Sequence, residues 1–143
     1  MFIAIGSDHR GFAIKEKLTL FLIESGYQIQ DVGADKAQCV DYPDIAHEAC
    51  HLVSTGKCTY GILICGTGLG MSMAANKNKG IRAALCHDTF TAERSRQHNN
   101  ANILCLGAER TVNHFAIVKT FLDTGFEGGR HQARIDKIMA LEG

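Results

Sequence analysis

The segment Gly61-Ile62-Leu63-Ile64-Cys65-Gly66-Thr67-Gly68-Leu69-Gly70-Met71-Ser72 holds the residues best spaced for chemistry. An apolar run ends on a cysteine, breaks into alternating glycines and resumes as a helix-compatible stretch. The pattern predicts a buried strand that hands its last residue to a loop whose bare backbone N–H groups can surround an anion. A thiol at the lip of such a loop, beside a helix N-terminus, is in a setting that favours the thiolate, and so a base or a nucleophile. The expected chemistry is therefore attack or proton abstraction with a negatively charged intermediate.

The elements that must position this loop alternate along the chain. A strand is expected at about 2–6 and a helix at about 11–24, with Phe12, Ile14, Leu18, Leu22 and Ile23 on one face and Gly26 ending it. A weaker strand from Tyr27 to Val32 leads through a polar loop to a helix at about 43–55, opened by Pro43 and closed by Gly56. Strand 60–65 and its glycine loop precede a helix to about 77. Strands at 81–86 and 102–106 are followed by helices at about 88–97 and 111–123, and a final helix spans about 131–141. This rhythm predicts one α/β domain over residues 1–143: a five-stranded, doubly wound parallel sheet, Rossmann-like with the flavodoxin-like strand order, and helices on both faces.

Sheets of this kind take ligands beyond the carboxyl ends of their strands. There the chain places Ser7, Asp8, His9 and Arg10, then Asp41 and Tyr42, then Cys65 and Thr67, then His87 and Asp88, then Glu109 and Arg110. These groups move protons or hold phosphate. The plainer alternative is that loops are polar in any case. Near the C-terminus, Arg130 and Arg134 stand at i and i+4 on one helix face, a spacing able to grip a phosphate from two sides; a solvated basic face is the bland alternative.

Composition narrows the function classes. Fifteen basic and fifteen acidic residues balance, so there is no electrostatic case for nucleic acid or an anionic membrane. No apolar stretch approaches the roughly 20 residues of a membrane span. The N-terminus opens into a strand-like run with no basic region, so no signal peptide is expected. The six cysteines at 39, 50, 58, 65, 86 and 105 form no C-x-x-C pair, and reduced thiols in a cytoplasmic protein are expected.

Two rival motifs carry less. His47-Glu48-Ala49-Cys50-His51 matches the H-E-x-x-H zinc pattern. On a helical wheel, however, His47, Glu48 and His51 lie opposite the apolar side made by Ile45, Ala46, Ala49, Cys50, Leu52 and Val53. A third zinc ligand would have to come from a distant segment. Gly66-x-Gly68-x-Gly70 approaches the dinucleotide fingerprint but follows the third strand, and no acid about 20 residues on is placed to hold a ribose. No metal and no organic cofactor is expected.

Several motifs together resemble one family along nearly the whole chain: Ser7-Asp8-His9-Arg10-Gly11, Asp41-Tyr42-Pro43, Cys65-Gly66-Thr67-Gly68-Leu69-Gly70, Ala74-Ala75-Asn76-Lys77, Ser95-Arg96-Gln97-His98-Asn99 and Gly128-Gly129-Arg130-His131-Gln132-x-Arg134. The chain is similar to the ribose-5-phosphate isomerase B family, which also holds allose- and galactose-6-phosphate isomerases. It resembles the branch with a cysteine base, because the glutamate of the other branch would fall at Met71. Arg10 stands where many relatives carry a smaller residue.

The resemblance implies aldose–ketose isomerisation of ribose 5-phosphate through a cis-enediolate, a step of the non-oxidative pentose phosphate pathway. It implies Cys65 as base, with Thr67 and the loop at Gly66, Gly68, Leu69 and Gly70 holding the developing oxyanion. His98 would open the sugar ring, and Asp8 would orient or exchange protons with sugar hydroxyls. Tyr42 and Asn99 would line the sugar, while His9, Arg110, Arg130 and Arg134 would bind the phosphate. The alternatives are a six-carbon sugar phosphate, or a phosphosugar-binding module without turnover.

A homodimer is expected from the element order itself. The helix after the fourth strand starts at the carboxyl edge of the sheet and runs back about 15 Å, so His98 and Asn99 should end near the amino edge, away from Cys65. Arg130 and Arg134, after the last crossover helix, should be similarly removed. A partner subunit would then complete each site, and the family resemblance implies dimers and in some members tetramers.

Overall fold

The computed structural model describes residues 1–35 and 39–143. The elements in chain order are β1 (Phe2–Ser7), α1 (Phe12–Glu24), β2 (Gln28–Asp31), α2 (Tyr42–Ser54), β3 (Tyr60–Cys65), α3 (Leu69–Ala75), β4 (Ala83–Leu85), α4 (Thr89–Gln97), β5 (Ile103–Gly107), α5 (His114–Asp123) and α6 (Arg130–Ala140). Part of the polar loop expected before α2, residues 36–38, lies outside the described residues. Among the described residues no helix is long and apolar enough to cross a membrane.

All strand pairs are parallel, and the order is β2-β1-β3-β5-β4. The α/β class and two-faced covering agree with the sequence reading. The flavodoxin-like order, 2-1-3-4-5, does not carry through: the last two strands are exchanged. Burial explains the exchange. Every residue of β5 is buried, which requires neighbours on both sides, whereas β4 is three residues long and only half-buried. A short, half-wet strand is suited to an edge.

Alternation along the strands feeds two cores. Ile3, Ile5, Ile62, Ile64, Leu104 and Leu106 face α1, α4 and α5, meeting Leu18, Leu22, Ala92, Ile117 and Phe121. Ala4, Leu63, Cys65, Ile103 and Cys105 face α2 and α3, meeting Ala46, Ala49, Cys50, Met71 and Ala75. Fully burying one such Leu or Phe stabilises by about 1.5–3 kcal/mol, so these paired layers fix the height at which each strand ends.

Helix α1 buries Leu18 and Leu22 as expected and departs from the expected face at two positions. Ile23 is 54% exposed, while Lys15 is completely buried. The Lys15 ammonium donates to both carboxylate oxygens of Asp31, at 2.9 and 2.7 Å, and to the Ala34 carbonyl at 2.8 Å. A buried ammonium is tolerated because all three of its protons find acceptors. The cluster ties α1 to the end of β2 and to the chain leading toward Tyr42.

Candidate active site

Cys65 is the last residue of β3, opposite Gly107 of β5, while Ser7 of β1 pairs with Ile64. The thiol therefore stands at the carboxyl edge of the central strand, where three strand ends converge. The loop after it is tied to the loop after β5: Ala108 N–H donates to the Cys65 carbonyl at 2.8 Å and Glu109 N–H to the Gly66 carbonyl at 2.9 Å. Gly68 takes φ +81° and donates its N–H to Cys65 Sγ at 3.2 Å. Leu69 N–H donates to Thr67 Oγ1 at 3.2 Å. Two of the loop amides expected to face an anion are thus directed at side chains of the loop itself.

A cavity of about 420 Å³ opens above the thiol. Asp8, His9 and Arg10 line it from the β1–α1 turn, Val40, Asp41 and Tyr42 from the approach to α2, and Cys65, Gly66, Thr67 and Gly70 from the glycine loop. Asp8 is buried, and its Oδ1 accepts the N–H groups of Arg10 and Gly11, both at 3.0 Å. His9 Nδ1 is buried without a partner among the described residues. Tyr42 lies over the loop because residue 70 has no side chain: a Cβ there would come within 2.5 Å of Tyr42 Cζ.

A second groove of about 480 Å³ adjoins the first and shares Thr67; Leu69, His87, Glu109, Arg110 and Val112 line it. The ridge between the two is a pair the sequence did not announce. Arg10 Nη1 donates to Glu109 Oε1 at 3.2 Å, and a Cβ on Gly66 would stand 3.0 Å from Arg10 Cδ. Burial pushes the Cys50 thiol up to about 12 and raises Cys58, Cys86 and Cys105 as well. These four are held as inert thiols, and Cys65 is the one that lines the cavity.

The remaining site candidates gather at the opposite edge of the sheet. His98 caps the C-terminus of α4, five residues before β5 begins, and its ring stacks on His131 of α6 at 4.3 Å. The carbonyls of Asn99 and Asn100 accept from the Arg82 guanidinium at the start of β4. Arg130 and Arg134 are exposed on α6. The five residues of β5 span about 15 Å, which is the separation this topology sets between His98 and the Cys65 edge of the same chain.

The chain matches the model of the family described as Ribose/Galactose Isomerase over residues 3–138. It belongs to this family. Among its relatives, ribose-5-phosphate isomerase B of Escherichia coli K12 is 43% identical over 142 residues, covering 98% of this chain and 95% of that one. A D-erythrulose-4-phosphate isomerase of Pectobacterium atrosepticum is 42% identical over 139 residues, covering 95% and 91%. The solved ribose-5-phosphate isomerase B of Clostridium thermocellum superposes with a TM-score of 0.96 at 48% identity, over 99% of this chain and 97% of that one. That of Thermotoga maritima gives 0.93 at 47% identity, over 97% of each.

In this Ribose/Galactose Isomerase chain the H-E-x-x-H residues are turned outward. His47, Glu48 and His51 are exposed on α2, and His47 Nδ1 bonds Asn78 Oδ1 at 2.6 Å. Among the described residues the three groups whose donor atoms come together are instead His98, Glu127 and His131. Glu127 went unmarked in the sequence, since nothing local tells a half-exposed acid beside glycines from an ordinary surface residue.

Proposed function

We propose that the chain interconverts ribose 5-phosphate and ribulose 5-phosphate through a cis-enediolate, with Cys65 as the base. The observation that carries this reading is a thiol at a strand end, accepting a backbone N–H at 3.2 Å, in a cavity with Asp8, His9 and Tyr42. The Gly68 N–H directed at Sγ is a donor in place for the sulfur as it exchanges a proton with the sugar carbon.

The mechanism divides among these groups. His98 assists opening of the furanose by moving a proton between the ring oxygen and the C1 hydroxyl. The Cys65 thiolate then removes the proton from C2 of the open aldose and returns it to C1. The hydroxyl proton on O2 passes to O1 with Asp8 as its carrier, since Asp8 Oδ1 is anchored by two amides and Oδ2 is the oxygen for the sugar. Thr67 and the amides of Gly66, Thr67 and Gly70 stabilise the enediolate oxygen, a role typically worth about 2.7–4 kcal/mol per donor, while the Gly68 and Leu69 amides hold Cys65 Sγ and Thr67 Oγ1. Tyr42 and Asn99 line the sugar; His9, Arg110, Arg130 and Arg134 hold the phosphate. Electrons move only within the sugar, so no external acceptor takes part.

The protein works as a homodimer in which His98, Asn99, Arg130 and Arg134 reach the Cys65 cavity of the partner subunit. Support comes from the far placement of these residues within one chain. A cytoplasmic setting and a place in non-oxidative pentose phosphate metabolism accord with the free thiols and the substrate.

The test is isomerisation of ribose 5-phosphate by the purified protein. Cys65→Ala should lower turnover by roughly 100- to 10,000-fold, with sugar phosphate still bound by calorimetry and Cys50→Ala close to wild type. Activity of Cys65→Ala within about tenfold of wild type, below the range of a lost general base, would remove the thiol from its role.

A further inference from the structure

One backbone tie brings the segment before α6 against the end of α4: Glu127 N–H donates to the Gln97 carbonyl at 3.1 Å. His98 closes α4, its own N–H donating to the Arg94 carbonyl at 2.9 Å. Glu127 is thereby set beside His98, and the turn at Gly128 and Gly129 brings His131, the second residue of α6, against both. The two imidazoles lie face to face, 4.3 Å between centroids and 14° from parallel. Glu127 Oε1 stands 3.6 Å from His98 Nε2 and 3.7 Å from His131 Nε2. These are ion-pair or water-bridged separations rather than direct hydrogen bonds.

Each member of the cluster restricts the others. His131 is 7% exposed and covers one face of the His98 ring, so His98 cannot swing away without uncovering it. Burial, with His98 and Arg130 nearby, pushes His131 below its usual value, and it stands as a neutral plate at neutral pH. Glu127 is the one carboxylate among the charges acting on His131, where the others are His98, Arg130 and Arg134. An imidazole nitrogen facing a carboxylate carries its proton there, which leaves the other nitrogen as the lone pair. In serine proteases an aspartate performs this service for the histidine, and losing its charge is costly because the wrong tautomer results.

We propose that Glu127 is a positioning residue: it holds His98, backed by the ring of His131, as the Nε2–H tautomer, with Nδ1 free to exchange a proton with the sugar. The proposal rests on the ring-opening role given to His98 above. It assigns to the stretch Glu127–His131 a duty separate from the phosphate grip of Arg130 and Arg134. Removing the carboxylate charge should therefore slow turnover without weakening binding, because the two arginines lose a competing negative charge.

The experiment is Glu127→Gln in the full-length protein, with Glu127→Asp as the conservative partner. In Glu127→Gln, kcat on ribose 5-phosphate should fall roughly 10- to 100-fold, less than in a fully buried triad, with KM unchanged or lower. The ¹⁵N resonances of the His98 ring should move from an Nε2–H pattern toward a mixture of tautomers. Glu127→Asp should recover part of both. An unchanged His98 ¹⁵N pattern, or a loss of kcat accompanied by a proportionate rise in KM and a lower Tm, overturns the proposal. Undiminished turnover in His98→Asn would instead overturn the ring-opening role, and the ¹⁵N pattern would still decide whether Glu127 holds the ring.

Discussion

Gly68 directs its amide N–H onto the Sγ of Cys65 at 3.2 Å from a backbone φ of +81°. The amide precedes this dihedral in the chain, and the dihedral steers the residues after it into α3. A residue confined to negative φ would send that chain elsewhere, so the loop would have to shift the amide off the sulfur to reach α3.

Gly68→Ala should therefore damage both stability and chemistry. The left-handed conformation costs a non-glycine residue about 1–2 kcal/mol. The added Cβ would also stand 2.5 Å from Leu85 Cδ1 and 2.9 Å from the Leu106 carbonyl carbon. The expected result is a Tm lower by at least about 5 °C and a kcat reduced by more than about tenfold for the lost donor. Thermal melts and steady-state kinetics check both, and a kcat equal to wild type would separate the Gly68 amide from the reaction.

The proposed sharing of site residues between two subunits has a direct test in subunit exchange. Cys65→Ala and His98→Asn are prepared separately, each nearly inactive on ribose 5-phosphate, then mixed so that chains redistribute. A mixed dimer carries both lesions in one site and leaves the other whole, so about a quarter of wild-type activity should return on random pairing. If mass spectrometry confirms exchange and no activity returns, His98 serves its own chain.

Lys15 is expected to matter for stability rather than for the reaction. Lys15→Met removes the cation from Asp31 and leaves the Ala34 carbonyl without its donor. Breaking a buried pair costs about 3–5 kcal/mol, and the lower end applies here because Asp31 keeps some contact with water. Urea unfolding should show a loss of about 3 kcal/mol, with KM for ribose 5-phosphate little changed under folding conditions. A loss under about 1 kcal/mol would mean that the apolar substitute compensates for the pair.

His131 makes stability depend on pH in a definite direction. Its protonation in the folded protein is disfavoured first by burial, then by His98 and Arg130. Above the unfolded value near 6.5 both states are neutral, and its contribution to stability is intact. As pH falls from 6.5 through the lower folded value, the unfolded chain takes up a proton more readily and that contribution is lost. The Tm of wild type should therefore drop more steeply between pH 7 and pH 5 than that of His131→Gln. Parallel curves would place the acid sensitivity elsewhere.

Much of this molecule could be read along the chain. The strand at 60–65 is observed as Tyr60–Cys65, and the glycine loop that follows has the backbone form its glycines permit. Such features are local: apolar periodicity and the freedom of glycine act within a few residues. The motifs from Ser7-Asp8-His9 to Arg130-His131 likewise pointed to the family that the chain belongs to.

What only the tertiary structure decided involves partners distant in sequence. The exchange of β4 and β5 turns on which strand is buried on both sides, and similar short apolar runs did not reveal it. Lys15 is inside because Asp31 and Ala34 arrive from another strand and its loop, whereas Ile23, apolar and in phase with the helix, faces water. Arg10 reaches across 99 residues to Glu109, and Glu127 meets His98 only because α6 folds back over the end of α4. A charge or imidazole takes its energy from whatever neighbours the fold delivers, so its role is settled where chain segments meet rather than where the residue stands in the sequence.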